Sequence, residues 1–319
     1  MPAFTTHYIL VKSIEDRIKA CDKNLTLNEP ALVLGAQGPD IFFFHRVWKM
    51  LWGGNLEALG DKLHQCETSK LFSIMKDYLN NEACDRDIVE SYIYGFLSHY
   101  ALDRSGHPFI YSIQEKIIKE GHFEHYMPSS IHGYVESMID VEMLKNELGQ
   151  TDGRAFRGQD YISTDEHLVD ELSKLMAYVV PRMFAIENDI KQYRLAYLDT
   201  TLVQKLLYDP QDKKKNFIKK YLRFLTNKIG PKVSGMMRPQ KCDDRWDYMN
   251  YSHNEWTMVY DKTKKFTTSF VDIFNFAKDD TIALINAFNS DDPQKAIKDI
   301  ADDMSFDTGL NYKITEPLN

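Results

Sequence analysis

One stretch near the middle of the chain restricts the possible folds more than any other. His99, Asp103 and His107 follow one another at intervals of four residues, and His132 and Glu136 repeat that interval further on. Residues four apart lie on the same face of an α-helix, one turn above the other. Imidazole and carboxylate groups that converge in this way are typical ligands of zinc, so the pattern predicts helices that carry a metal site. The alternative is a set of surface pairs that only stabilise their helices.

The first of these helices is expected over residues 87–103, where apolar residues recur at helical spacing. A glycine and a proline flank His107, and the residue before a proline is biased away from helical geometry. The sequence therefore predicts that the helix ends near His107 and that a separate helix follows at about 109–120. It also predicts that His107 faces a different ion from His99.

Helical periodicity extends through most of the remaining chain, and no run of Val, Ile and Thr alternates as a strand would. The fold class is therefore predicted to be all-α. The other expected helices cover 4–20, 28–36, 55–80, 130–148, 165–186, 189–208, 212–228, 260–278, 281–289 and 293–303.

The polar segment 151–165 is the best candidate for a linker or a long loop. It would divide the chain into a metal-site domain, residues 1–150, and a helical C-terminal region, residues 151–319. The second region is expected to pack on the first as one globular unit. A chain of 319 residues is long enough for one large domain or two ordinary ones.

Charge and histidine content limit the possible functions. The net charge is −8, which counts against binding of long nucleic acids through a basic surface. Eight of the ten histidines lie in the first 132 residues, so the chemistry is expected in the N-terminal half.

The four cysteines are scattered and form no CxxC pair, which is typical of reduced, structural thiols. Charged residues interrupt the N-terminal segment, so no signal peptide is expected there. No stretch approaches the ~20 apolar residues of a membrane span. The sequence therefore predicts a cytoplasmic protein without a transmembrane segment.

A second informative segment reads GAQGPDIFFF. Its Gly-Pro-Asp sequence is typical of a turn and places Asp40 beside an aromatic run. Asp40 is either a metal ligand or a residue that braces the turn. The aromatic residues Phe42, Phe43 and Phe44 are expected in the core, together with Trp48 and Trp52; the alternative is an apolar lip that admits acyl chains.

These motifs together resemble the zinc-dependent phospholipase C family. GFLSHYALD is similar to the central helix of that family, and GAQGPDIFFF resembles the Gly-Pro-Asp segment of its shorter bacterial members. The resemblance covers roughly residues 1–145. Beyond it, YMNYSHNEW and TTSFVDIFNFA look like the C-terminal segment of such members. The resemblance implies the multi-helix bundle that the family shares with single-strand-specific fungal nucleases, here with extra C-terminal helices.

The resemblance also implies a cluster of two or three zinc ions. The implied ligands form three sets: Asp40, His64, His99 and Asp103; His107, His132 and Glu136; and His7 with a shared, bridging Asp103. Secreted members use the amino group of an N-terminal tryptophan on the third ion. This chain begins Met-Pro-Ala, so that ligand is expected to be missing or replaced.

Three other histidines compete for roles near the metals. His45 follows Asp40 by five residues and is an alternative to His64. His122 and His125 lie in a polar segment and are expected to be solvated; the alternative is that they approach a substrate phosphate.

The function that the resemblance implies is a zinc-dependent, phospholipase C-like hydrolase of phosphodiesters. A metal-activated water would attack the phosphate of a phospholipid or of a soluble headgroup ester, with Asp40 as the general base. One alternative is a nuclease-like phosphodiesterase that acts on short nucleic acids. The other is a metal-binding protein without catalysis.

Overall fold

The computed structural model describes residues 4–46, 54–121, 128–217 and 237–314. Its elements confirm the all-α prediction. In chain order the helices are α1 Phe4–Ser13, α2 Glu15–Cys21, α3 Glu29–Gly35, α4 Ile41–Phe44, α5 Glu57–His64, α6 Thr68–Asn81, α7 Arg86–Lys119, α8 Pro128–Leu148, α9 Glu166–Phe184, α10 Ile190–Leu207, α11 Lys213–Phe217, α12 Phe270–Phe288 and α13 Pro293–Ala301. Short 3-10 turns cover Gly38–Asp40 and Gly158–Tyr161, and strands β1 Trp256–Thr257 and β2 Lys265–Phe266 form one antiparallel pair.

Helix α7 is the centre of the bundle. It runs for 34 residues, which is about 50 Å at the rise of an α-helix. The Asp85 side chain caps its first turn by accepting from the Ile88 amide. Helices α3, α8, α9 and α12 pack around it, and every residue from Ile88 to Asp103 is buried. A helix covered on all sides needs apolar residues around its whole circumference, and α7 has them.

The predicted end of this helix near His107 is wrong, because α7 continues through Pro108 to Lys119. A proline inside a helix costs roughly 3 kcal/mol, since it removes one backbone hydrogen bond and crowds the preceding turn. The residues that follow it, Phe109, Ile110 and Ile113, are buried. Burial of such side chains stabilises by about 1.5–3 kcal/mol each, which offsets the cost of the proline.

Helix α3 touches α7 through two glycines. A Cβ on Gly35 would lie 2.0 Å from the carbonyl oxygen of Tyr92, and a Cβ on Gly95 would lie 2.2 Å from that of Leu32. The two backbones therefore approach so closely that a residue with a Cβ does not fit at either position. This contact places the residue after α3, Ala36, next to His99 of α7.

Several predicted boundaries differ from the structure. The expected helix over 4–20 is two helices, α1 and α2, and no local feature explains the break. The expected helix over 55–80 is also two, α5 and α6. The second begins where the Ser69 amide donates to the carboxylate of Asp303 at 2.9 Å, a partner too far along the chain for a local pattern to indicate.

The helices expected over 260–278 and 281–289 are replaced by β2 and the single helix α12. A capping box starts α12, with the Ser269 side chain and the Asp272 carboxylate each bonded to the other's backbone amide. Of the helix expected over 212–228, the described part is α11, and the rest lies outside the described residues.

The two halves of the chain share one hydrophobic core. Helix α12 packs along α7, α13 packs against α6, and α9 contacts both α6 and α10. One continuous cluster of buried apolar residues extends from Phe4 to Phe306. The division near residue 150 stays a prediction.

The four cysteines are free thiols. Within the described ranges, no helix combines the length and the apolar character that a membrane crossing requires. The predicted cytoplasmic location stays a prediction.

His45 provides a prediction about acid stability. Its side chain is 0% exposed, and neither ring nitrogen has a hydrogen-bond partner among the described residues. Burial, together with the charge of Arg46, lowers its pKa to about 4. The unfolded chain binds this proton below about pH 6.5, so stability should fall as the pH drops from about 6.5 to 4, by up to about 3 kcal/mol.

Replacement of His45 by leucine should remove this loss of stability at acidic pH. The measurement is urea denaturation of both proteins at several pH values, with the difference in unfolding free energy plotted against pH. His167→Gln, at an exposed histidine, controls for the loss of a histidine as such. Parallel curves for His45→Leu and the native protein would contradict the prediction.

Candidate metal centre

The structure brings the eight predicted site residues together in one buried cluster. Each is at most 8% exposed. They come from five elements: His7 on α1, Asp40 in the first 3-10 turn, His64 on α5, His99, Asp103 and His107 on α7, and His132 and Glu136 on α8. Their roles as ligands stay predictions, and what the structure adds is their geometry.

The ligand atoms form three groups, and within each group they lie within 4.8 Å of one another. The groups are His7, His99 and Asp103; Asp40, His64 and His99; and His107, His132 and Glu136. The third group equals one of the sets implied by the family resemblance. The other two share His99, whereas the resemblance implied Asp103 as the shared residue.

Asp103 lies at the junction of the groups. One carboxylate oxygen is 3.1 Å from Nε2 of His7, and the other is 2.9 Å from Nε2 of His99. The second oxygen is also 3.9 Å from Nε2 of His64 and 3.8 Å from Nδ1 of His107. A carboxylate with a different partner on each oxygen has the arrangement of a bridging ligand.

Four of the histidine rings are held by an oxygen that contacts Nδ1. The Nδ1 partners are the Gly60 carbonyl for His64 at 2.8 Å, the Ala36 carbonyl for His99 at 3.1 Å, the Phe306 carbonyl for His107 at 2.7 Å, and the Gln114 side-chain oxygen for His132 at 3.0 Å. A neutral imidazole that donates from Nδ1 keeps a lone pair on Nε2. Second contacts of this kind orient metal-binding histidines in known sites.

The residues fit a metal cation. Burial lowers the pKa of both His99 and His132, which favours the neutral form of each ring. The Nε2 lone pair of His99 then faces a carboxylate oxygen of Asp103 at 2.9 Å, one acceptor against another. A positive charge between the two atoms removes that repulsion, and nitrogen with carboxylate oxygen is a donor set that suits zinc.

Charges within the cluster keep its carboxylates ionised. Burial by itself would raise the pKa of Asp103, but His99, His107 and His7 hold it well below its usual range. Burial would lower the pKa of His107, but Asp103 and Glu136 raise it to about 10. In the absence of metal, protons therefore supply positive charge that metal ions would replace.

A cavity of about 410 Å³ opens on the cluster. His64, His107 and His132 form part of its wall. The rest of the wall is mainly aromatic and acidic, with Phe43, Tyr111, Tyr260, Glu57, Asp61 and Asp307. Among the described residues that line it, none is lysine or arginine.

Comparison with known proteins adds one finding to this geometry. The model of the family described as zinc dependent phospholipase C matches residues 6–201, more than half of the chain. The chain belongs to the zinc-dependent phospholipase C family. The match extends past residue 145, the limit of the resemblance that the sequence motifs indicate, and includes α9 and most of α10. No curated protein and no solved structure matches the chain.

The structure of this member of the zinc-dependent phospholipase C family distinguishes between the histidines that compete for a place near Asp40. His64, and not His45, lies beside Asp40, with Nε2 3.2 Å from the carboxylate. None of the three candidate groups includes His45. His122 and His125 lie outside the described residues.

The aromatic run is divided between core and cavity. Phe42 and Phe44 are fully buried, as the core prediction requires. Phe43 instead lines the cavity and stacks on His64, with ring centroids 5.3 Å apart. Trp48 and Trp52 lie outside the described residues.

Sequence reasoning missed four residues of the site. Gln114 follows His107 by seven residues, or two helical turns, so the helical spacing could have indicated it. Tyr111 follows His107 by four residues and lines the cavity for the same reason. Phe306 and Asp307 come from a part of the chain almost 200 residues later, and no local pattern connects them to the cluster.

Proposed function

We propose that this protein is a zinc-dependent phosphodiester hydrolase that acts on a phospholipid or on a soluble headgroup ester. The observation that carries the proposal is the convergence of three histidine and carboxylate groups around Asp103, beside an open cavity. Membership of the zinc-dependent phospholipase C family supports the same chemistry.

The proposed ligands are the eight residues of the cluster: His7, Asp40, His64, His99, Asp103, His107, His132 and Glu136. Zinc bound there would polarise the phosphate oxygens and lower the pKa of a bound water to ~7. The chain itself fixes the geometry, because α7 carries three of the ligands on one rigid face and because backbone carbonyls hold three of the rings.

The open side of the cluster supports catalysis over a purely structural metal site. Structural zinc sites are closed by protein ligands, whereas catalytic sites keep a position for water or substrate. Here His64, His107 and His132 border a cavity large enough for a small ligand. This observation favours the hydrolase over the metal-binding protein without catalysis.

The charge of the cavity wall favours a small diester over a nucleic acid. Glu57, Asp61 and Asp307 line it, and the described wall contains no lysine or arginine. An oligonucleotide carries one negative charge per phosphate, and proteins that bind it usually supply cations along its path. A single phosphodiester carries only one negative charge, and a cationic headgroup offsets it, so phosphocholine esters are the first substrates to test.

The test begins with the metal content per chain, measured by elemental analysis on protein purified without a metal-affinity column. Two or three zinc ions per chain are expected. Hydrolysis of a p-nitrophenyl phosphodiester should stop when a chelator removes the zinc and return when zinc is added back. One ion or none after zinc is added, or hydrolysis that persists in metal-free protein, would refute the proposal.

A further inference from the structure

Among the described residues, His7 is the histidine of the cluster whose Nδ1 has no hydrogen-bond partner. Its side chain is buried, and its ring stacks on that of His99 with the centroids 4.2 Å apart. Its Nε2 lies 3.1 Å from a carboxylate oxygen of Asp103. Because no oxygen orients this ring through Nδ1, the position of His7 depends on the helical turn that carries it.

That turn is the first of α1, and a carboxylate from another helix caps it. The first amides of an α-helix have no acceptor within the helix. The Thr6 amide donates to Oδ1 of Asp140 at 2.9 Å, and the Thr6 hydroxyl donates to the same oxygen at 2.7 Å. A negative charge at this end of a helix also interacts favourably with the helix dipole. Asp140 is therefore a cap for α1, although it lies 134 positions further along the chain.

Asp140 belongs to α8, the helix that carries two of the proposed ligands. It follows Glu136 by about one helical turn and His132 by about two, so the three side chains lie on one side of the helix. Helix α1 packs against α8. The cap therefore connects the residue before His7 to the helix that holds the third candidate group.

A guanidinium lies beside the other oxygen of Asp140. Nε of Arg238 is 3.7 Å from Oδ2 of this buried carboxylate. Nη1 of Arg238 donates to the carbonyls of Gly153 at 3.0 Å and Phe156 at 3.1 Å. The guanidinium also lies over the Phe156 ring, 5.2 Å from its centroid. Residues beyond position 150 therefore hold the cap of α1 in place.

We propose that Asp140 is a positioning residue for the metal group of His7, His99 and Asp103, a proposal that rests on the proposed zinc site. By capping α1, Asp140 sets the position of His7 relative to Asp103 and so the affinity of the ion that these residues bind. Asp140 belongs to none of the three candidate groups of the described chain, so it acts on that ion through α1. Ions whose histidines have their own Nδ1 partners do not depend on it.

The test compares Asp140→Ala with Asp292→Ala in the full-length protein. Asp292 caps α13 by accepting from the Lys295 amide at 3.1 Å, and α13 carries none of the proposed ligands. Elemental analysis counts the zinc ions per chain, and competition with a chelator of known affinity measures how tightly each is bound. Asp140→Ala should weaken one ion about 10- to 100-fold, as loss of an orienting contact does in known sites, and leave the others at native affinity. Asp292→Ala should bind every ion like the native protein.

A second background identifies the ion that is weakened. His7→Ala should remove the ion that His7 binds. Asp140→Ala added to His7→Ala should then change none of the remaining affinities, because the two residues act on the same ion. If Asp140 only stabilised the fold, its replacement would weaken the remaining ions whether or not His7 is present. These measurements need no turnover.

A pair of variants at Thr6 covers the case in which Asp140→Ala does not fold. Thr6→Val keeps the shape of threonine but lacks the hydroxyl that donates to Asp140, whereas Thr6→Ser keeps a hydroxyl. Thr6→Val should bind the same ion roughly three- to tenfold more weakly than Thr6→Ser, which is the usual net effect of one lost hydrogen bond.

Several outcomes would overturn the positioning role of Asp140. They are native affinities in Asp140→Ala, equal weakening of every ion, an effect that persists in the His7→Ala background, and equal affinities in Thr6→Val and Thr6→Ser. Retention of every ion by His7→Ala would overturn it as well. A native protein that binds no zinc would refute the proposed function too, whereas native zinc content with an unaffected His7 ion in Asp140→Ala refutes the role of Asp140 alone.

Discussion

Replacement of Asp103 by asparagine is expected to release metal and to lower phosphodiester hydrolysis by roughly 10³-fold or more. The amide has no charge and cannot bridge two cations. Metal ions supply several kcal/mol of transition-state stabilisation, and each ~1.4 kcal/mol corresponds to a factor of ten in rate. Zinc per chain and kcat/KM are measured on the same preparations.

The matched control for Asp103→Asn is Glu115→Gln on the same helix. Glu115 pairs with Lys262 and Lys119 at the surface, where such pairs contribute little to stability. Its replacement also removes one negative charge from α7, but zinc content and activity should stay at native levels. Full hydrolysis by an Asp103→Asn protein that holds no zinc would exclude the metal mechanism.

Replacement of Gly95 by alanine is expected to lower the free energy of unfolding by about 3 kcal/mol or more. The new methyl group would lie 2.2 Å from the carbonyl oxygen of Leu32, which is backbone and cannot rotate away. Overpacking of a core typically costs about 1–3 kcal/mol, and a clash with backbone lies at the upper end of that range. Urea denaturation measures the loss.

The same substitution should weaken zinc binding. Separation of α3 from α7 would move the Ala36 carbonyl away from Nδ1 of His99, and loss of such a contact lowers metal affinity about 10- to 100-fold in known sites. Gly106→Ala on the same helix is the control. Of the residues that the structure describes, a Cβ there meets the Phe270 ring alone, at 3.7 Å. Because alanine favours helix over glycine by up to about 1 kcal/mol, this variant should be as stable as the native protein or more so.

The parts of the site that follow helical spacing could be predicted from the sequence. The intervals between His99 and Asp103, and between His132 and Glu136, placed each pair on one helical face, and the structure shows each pair in contact. The start of α12 also has a local signal in the sequence, because Ser269 and Asp272 have the spacing of a capping box.

Other parts depended on tertiary contacts. The helix continues past His107 because buried residues beyond Pro108 outweigh the cost of the proline, and no local pattern reports that balance. The choice between His45 and His64 depends on where α5 packs. Asp307 could not be identified because it lies 171 positions after Glu136 in the sequence.

The contacts of His107 join parts of the chain that a ribosome makes at different times. The carbonyl that orients His107 belongs to Phe306, 199 residues further along the chain. During synthesis, His107 and the other residues of the cluster are made before Phe306. Until Phe306 is added, Nδ1 of His107 lacks its carbonyl partner. Metal taken up at that stage would meet a looser site. The complete set of contacts around His107 can form only after residues 302–312 have been made and have packed against the cluster.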